Sequence, residues 1–274
     1  MSKTDPHRKK TSIQTILAKK NKGEKIAVLT AYDYFVARLL DQAGVDATLV
    51  GDSAANVVHG FDSTLPITMD VMVAHTAAVA RGTSRALVIA DMPFLSFQPS
   101  TETAILNAGR FLKEARAESV KIEGGTEMAA TITRVVACGI PVMGHIGLTP
   151  QSIHGFGGPR VQGKKAASRQ YLKESALALE EAGCFAMVLE LVDAEIAGEI
   201  TASLSKAATI GIGAGPHCDG QVLVINDILG LREEGFAPRF LRQYANLPPI
   251  ITAAVEKYID DVKRGAYPDE SESY

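Results

Sequence analysis

Ala86-Leu87-Val88-Ile89-Ala90-Asp91 is an unbroken apolar run that ends in an acid. A strand with one face in water alternates apolar and polar residues. A run without alternation suits burial on both faces, the condition of a parallel strand packed between helices. Seven further β-rich runs lie to either side: Ile26–Thr30, Ala47–Gly51, Ser119–Glu123, Pro141–Ile146, Phe185–Glu190, Ala208–Gly213 and Val222–Asn226. Helical segments separate most of them, with recognisable stops and starts. Tyr34–Ala43 ends before Gly44, Met69–Arg81 follows Pro66 and ends at Gly82, and Thr103–Ala117 follows Pro99-Ser100. Doubly wound sheets share the apolar runs. The eightfold βα count, without a Gly-x-Gly-x-x-Gly turn after the first strand, favours a closed (β/α)8 TIM-type barrel.

Outside that rhythm, Thr11–Lys20 reads as an additional N-terminal helix, placed to cover the lower end of the barrel, and Ala166–Ala182 and Pro238–Arg264 read as longer helices. Residues 1–10 and 267–274 lack apolar anchors and read as flexible tails. The 274 residues fit one barrel domain, 1–274, and a 46% hydrophobic content supports its core. A net charge of −3 with 22% charged residues describes an ordinary surface and gives no sign of nucleic-acid binding. The lysines between Lys3 and Lys25 read as a solvated tail and first helix. No apolar run approaches the roughly 20 residues of a membrane span, and the start has no apolar signal segment. A cytoplasmic location is expected. Cys138, Cys184 and Cys218 are odd in number and widely spaced, so reduced, mostly buried thiols are expected.

The chemistry of a β/α barrel gathers at the C-terminal ends of its strands. Asp52 and Ser53 follow the second run, Asp91 closes the third, Lys121 and Glu123 close the fourth, and Glu190 closes the sixth. One acid after a strand is commonly a helix cap; several at one barrel end point to a site. Asp52, Asp91 and Glu123 offer hard oxygen donors without cysteine or paired histidine nearby, which favours magnesium over zinc or copper. A 2-keto acid chelated there would be polarised towards its enolate. Glu190, set among apolar neighbours, is placed to accept the proton. Lys121 shares the side of Glu123 by period-two alternation, and either binds a substrate carboxylate or pairs with these acids. Ser53 is a substrate contact or a cap. His145, near the end of the fifth run, is a substrate contact or a structural histidine. His59, His75, His154 and His217 show no metal-ligand spacing. Gly211–Gly215 cradles phosphate or makes a tight turn, and Gly155–Gly158 is long enough to form a cover.

Leu29-Thr30-Ala31-Tyr32-Asp33, Val50-Gly51-Asp52-Ser53, Asp91-Met92-Pro93-Phe94, Val120–Gly125, Gly144–Ser152 and Gly211–Leu223 stand in an order that resembles the ketopantoate hydroxymethyltransferase family across nearly the whole chain. The resemblance implies a magnesium-dependent enzyme of pantothenate biosynthesis that transfers a hydroxymethyl group from 5,10-methylenetetrahydrofolate to the 2-keto acid 3-methyl-2-oxobutanoate, giving 2-dehydropantoate. It assigns Asp52, Asp91 and Glu123 to the metal, Asp52, Ser53, Asp91 and Lys121 to the keto acid, and Glu190 to proton abstraction. It also implies a homo-oligomer, a decamer. Asp193 stands where the family often has proline, and Pro159-Arg160 where it often has Tyr-Lys. The acids by themselves are equally compatible with a lyase acting on a related 2-keto or 2-hydroxy acid. A keto-acid-binding protein without catalysis is a third reading, opposed by the intact Glu190 and Lys121.

Overall fold

The structure is a computed structural model that describes residues 9–232, 235 and 238–274; the first eight residues of the expected N-terminal tail lie outside that range. It divides into two compact units, residues 1–224 and 225–274.

Among the described residues, the first unit holds eight strands: β1 (Ile26–Thr30), β2 (Ala47–Val50), β3 (Leu87–Asp91), β4 (Ser119–Glu123), β5 (Val142–Gly147), β6 (Ala186–Glu190), β7 (Ala208–Ile212) and β8 (Gly220–Leu223). They pair in sequence order, all parallel, and β8 returns to β1 to close the barrel. The apolar runs therefore do form a closed parallel barrel. The eighth strand lies earlier than Val222–Asn226: it begins at Gly220 and stops at Leu223, and a short helix starts at Ile225. Pairing with β1 overrides local propensity here. Gly220 sits opposite Ile26, and a Cβ on it would lie 2.3 Å from the Ile26 carbonyl oxygen, so only glycine fits.

Local chemistry sets the helix ends. Asp33 accepts a hydrogen bond from Val36 N (2.9 Å) to start helix Tyr34–Ala43, which ends on left-handed Gly44. Ser100 starts helix Thr101–Lys113 in the same way, two residues before the expected start. Asp41, on the buried face of Tyr34–Ala43, accepts from Ser84 N, Ser84 Oγ, Arg85 N and Ala86 N at 2.7–3.1 Å, fixing the chain as it enters β3.

Inward residues of the strands form one apolar layer at the lower end of the barrel: Ile26, Val28, Leu49, Leu87, Ile89, Met143, Val188, Ile210 and Val222. Helix Ile13–Lys22 closes that end. Its Ile16 is 2% exposed and belongs to the same cluster, with Ile13 packed against it. The lysines of this region are not simply solvated: Lys19 pairs with Asp46 (2.8 Å), Lys20 with Asp219 (2.9 Å) and Lys10 with Glu118. Cys184 and Cys218 are buried, Cys138 is exposed, and all three are free thiols.

In the second unit, the expected Pro238–Arg264 helix is shorter, Pro248–Lys263. A longer helix would place Pro248 and Pro249 in its interior, where two backbone hydrogen bonds would be lost; at the first turn their missing N–H groups cost nothing. Tyr244 N and Ala245 N instead bond to Ile228 O, and Leu247 N to Leu229 O. A short 3-10 turn, Glu270–Glu272, follows near the C-terminus.

Candidate active site at the barrel mouth

The inward positions that are apolar at the lower end of the barrel turn polar at the C-terminal ends of the strands. Period-two alternation carries Leu87 and Ile89 to Asp91, Met143 to His145, and Ala186 and Val188 to Glu190. Lys121 and Glu123 do the same on β4. Register then sets neighbours: Asp91 lies beside Lys121, and Glu123 beside His145. The sheet thus brings together residues from four strands, and the turn after β2 adds Asp52.

Asp52, Asp91, Lys121, Glu123 and His145 are all buried. Lys121 Nζ lies 2.8 Å from Asp91 Oδ1, 3.5 Å from Glu123 Oε1 and 3.0 Å from His145 Nδ1. Asp52 N donates to Asp91 Oδ2 at 3.0 Å. The His145 ring spans two acids, with Nδ1 3.3 Å from Glu123 Oε1 and Nε2 3.3 Å from Glu190 Oε2. Glu190 is the more open of these acids, its side chain 20% exposed. Ser53 heads the short helix Ala54–Val57 without capping it; its hydroxyl instead shares a 2.8 Å hydrogen bond with the Tyr32 hydroxyl.

The electrostatics follow from packing so many charges out of water. Burial, with Asp91 and Glu123 close by, drives the Asp52 pKa well above the usual carboxylate range. Burial also raises Asp91, against the pull of Lys121. Glu123 is likewise buried, yet Lys121 and His145 outweigh that cost and hold it low. For Lys121 the burial penalty is outweighed by Asp91, Glu123 and Asp52, which raise its pKa and keep it an ammonium. Burial and Lys121 act to lower His145, but Glu123 and Glu190 prevail and lift it to about 9. A charged ring faces both glutamates at 3.3 Å, although His145 Nε2 is among the buried atoms without an aligned hydrogen bond. The 3.0 Å contact with Lys121 is a hydrogen bond only when Nδ1 is bare.

Among the described residues, no three His, Cys, Asp or Glu side chains converge as a ready metal cage. The mouth does offer carboxylate oxygen: Asp91 Oδ1 and Glu123 Oε1 are buried near the Lys121 ammonium yet lack a well-aligned hydrogen bond.

Other expected features resolve more simply. Gly211 lies within β7, where a Cβ would meet Cys218 Sγ at 3.0 Å, and Gly215 has φ +79 with a Cβ position 2.5 Å from Ala194 Cβ. Close packing at Gly211, and a left-handed backbone with close packing at Gly215, favour glycine at both positions. His59 and His75 are joined by a 2.9 Å contact between their Nε2 atoms, and His75 Nδ1 meets Tyr32 O at 2.7 Å. The Gly155–Gly158 segment leads to Gln162, which pairs with the chain just after Glu190: Gln162 N donates to Leu191 O, and Asp193 N to Gln162 O (2.9 Å). Asp193 has φ −50 and directly precedes helix Ala194–Ser203. That φ suits proline, but proline would lack the N–H given to Gln162. Leu191 adopts the left-handed φ of +46, a strained geometry held beside Glu190.

Sequence reasoning assigned no role to Gln151, which the structure places within the cluster. Its backbone N donates to Glu123 Oε2 (3.1 Å), and its side chain donates to Asp52 Oδ2 (3.0 Å) and Met92 O (2.9 Å). It stands in the quoted Gly144–Ser152 stretch, and that is the only sign of it in the sequence.

The signature of the family described as ketopantoate hydroxymethyltransferase matches residues 10–270. The chain is 54% identical over 266 residues to the 3-methyl-2-oxobutanoate hydroxymethyltransferase of Syntrophus aciditrophicus, covering 97% of each chain. It is 55% identical over 268 residues to the protein of that name from Geobacter metallireducens, covering 98% of this chain and 99% of the relative. Among solved structures, the fold is similar to phosphonopyruvate hydrolase in complex with oxalate and Mg++ (TM-score 0.60, 14% identity, 95% and 92% of the two chains). It is also similar to 2,3-dimethylmalate lyase, a member of the PEP mutase/isocitrate lyase superfamily (TM-score 0.59, 17% identity, 96% and 92%).

Proposed function

The chain belongs to the ketopantoate hydroxymethyltransferase family, and from that premise we propose that its barrel mouth transfers a hydroxymethyl group from 5,10-methylenetetrahydrofolate to 3-methyl-2-oxobutanoate, giving 2-dehydropantoate for pantothenate biosynthesis. The observation that carries the reading is the gathering of Asp52, Asp91, Lys121, Glu123, His145 and Glu190 at one end of one barrel.

Asp52, Asp91 and Glu123 would hold a divalent cation. They supply hard oxygen and no sulfur, which suits magnesium. Magnesium keeps water and substrate among its ligands, so it does not need a complete protein cage. When bound, the cation polarises the keto group and offsets the negative charge that gathers on its oxygen as C3 loses a proton.

Asp52, Ser53, Asp91 and Lys121 orient the keto acid, with Lys121 the natural partner of its carboxylate. Glu190 takes the C3 proton. The carbon nucleophile then bonds to the one-carbon unit of the folate at its iminium stage; water adds its hydroxyl to that carbon as the carbon–nitrogen bond to the folate breaks, and tetrahydrofolate leaves as an amine carrying the remaining proton. His145 lies between Glu123 and Glu190, 3.3 Å from each, close enough to share the proton that Glu190 takes. Both substrates are small molecules. A cytoplasmic enzyme fits this role, and among the described residues no helix is long and apolar enough to cross a membrane. We also infer a homo-oligomer; the exposed apolar stripe Ile251, Val255, Tyr258, Ile259 and Val262 supports it.

The test is exchange of the C3 proton of 3-methyl-2-oxobutanoate in deuterium oxide, with and without magnesium, followed by addition of the folate. Metal-dependent exchange and then 2-dehydropantoate are expected, and Glu190→Gln should abolish exchange while leaving keto-acid binding largely intact. Undiminished exchange in Glu190→Gln would remove Glu190 from this role; a different product would point to a lyase.

A further inference from the structure

We infer that Gln151 is a positioning residue for the acid cluster, fixing which oxygens of Asp52 and Glu123 are left to face a cation. The inference rests on the reading that Asp52 and Glu123 serve a divalent metal.

Gln151 lies in the 3-10 turn Pro150–Ser152 that follows β5, and it is 5% exposed. Its amide group has two protons, and both are committed: one to Asp52 Oδ2 (3.0 Å), one to Met92 O (2.9 Å). Its backbone N–H is given to Glu123 Oε2 (3.1 Å). One residue from the β5 loop thus grips the ends of β2, β3 and β4. By occupying Oδ2 of Asp52 and Oε2 of Glu123, it leaves Oδ1 and Oε1 as the oxygens not bound by it. Oε1 of Glu123 is one of the buried atoms without an aligned partner.

The amide has a defined sense. Gln98 Nε2 donates to Gln151 Oε1 at 3.1 Å, so the oxygen points to Gln98 and the nitrogen to Asp52. Turned over, Oε1 would face a carboxylate and a carbonyl with no proton between them. Asp52 and Met92 thus fix the sense of the amide, and Gln98 completes it by donating to the oxygen. Such outer partners of metal ligands typically govern affinity by about 10–100-fold.

The test is manganese(II) binding, read by electron paramagnetic resonance of the free ion, with 3-methyl-2-oxobutanoate present and folate absent, so that no turnover intervenes. Gln151→Met keeps the bulk but removes both donors, and should weaken manganese binding by about 10–100-fold. Gln98→Met should weaken it in the same direction by a smaller factor. A lower Tm with unchanged manganese affinity in Gln151→Met would overturn the inference and leave the residue a packing clip. Should Gln151→Met fail to fold, Gln98→Met decides: weaker binding supports the inference, and unchanged binding overturns it. Asp52→Asn separates the two readings. If it abolishes manganese binding while the glutamine variants do not, only the positioning inference fails; if it too binds normally, the metal reading falls and takes the inference with it.

Discussion

Asp41 shows how one buried carboxylate can organise a junction. It is 6% exposed and accepts from three consecutive backbone N–H groups and a hydroxyl. Burial acts to raise its pKa, but the hydrogen bonds from Ala86, Ser84 and Arg85 outweigh it and hold the group below its unfolded value of 3.8. A depressed folded pKa contributes stability that is present above the unfolded value and is lost as pH falls through the folded one. Asp41→Asn should therefore cost about 1–3 kcal/mol at pH 7, and the gap to the unsubstituted protein should narrow below about pH 4 in urea unfolding. A gap that does not change with pH would mean that the carboxylate charge contributes nothing. The same scale explains what the sequence concealed at the mouth. Asp52, Asp91, Lys121, Glu123 and Glu190 announce themselves as charges at strand ends, whereas Gln151 is neutral and stands 99 residues from Asp52, its partner in space. Its role depends on where the β5 loop lands. The pairing of Ser53 with Tyr32 was hidden for the same reason.

At the scale of elements, helix Ile13–Lys22 is a plug fixed by both apolar and charged contacts. Ser12 caps it in a reciprocal box with Thr15, Gly23 ends it in the left-handed region, and Ile16 reaches the apolar layer of the barrel. Ile16→Ala should destabilise the protein by about 2–5 kcal/mol in denaturant titration, because the closed floor leaves little room to collapse into the cavity. A cost below about 1 kcal/mol would mean that the helix is not part of the core. Most strands were legible because their apolar runs had to be buried on both faces. The exceptions are instructive. β8 starts at a glycine and a glutamine, poor strand formers that pairing with β1 recruits. The helix before the C-terminus begins only at the proline pair, ten residues after the expected start at Pro238.

For the whole molecule, the helix Pro248–Lys263 carries an apolar stripe, Ile251, Val255, Tyr258, Ile259 and Val262, that remains 42% to 57% exposed in the single chain. A stripe of this kind is a common mark of a protein interface. Light scattering should give a mass that is a multiple of 29.1 kDa, and the double substitution Val255→Glu, Ile259→Glu should lower it. A monomeric mass for the unsubstituted chain would exclude self-association under those conditions. The sequence by itself determined a parallel α/β fold, since continuous apolar runs between helices must be buried on both faces, its eightfold count without a dinucleotide-binding turn favoured the closed barrel, and it determined which charges end the strands. Tertiary structure alone decided how those charges meet. Register set Asp91 beside Lys121 and Glu123 beside His145, loop placement brought Gln151 to Asp52, and burial, with the close neighbouring charges, displaced the pKa values, raising Asp52 by desolvation and like-charge repulsion and His145 by its glutamates. Strand identity follows from local pattern, but distances between residues far apart in the chain follow only from closing the barrel.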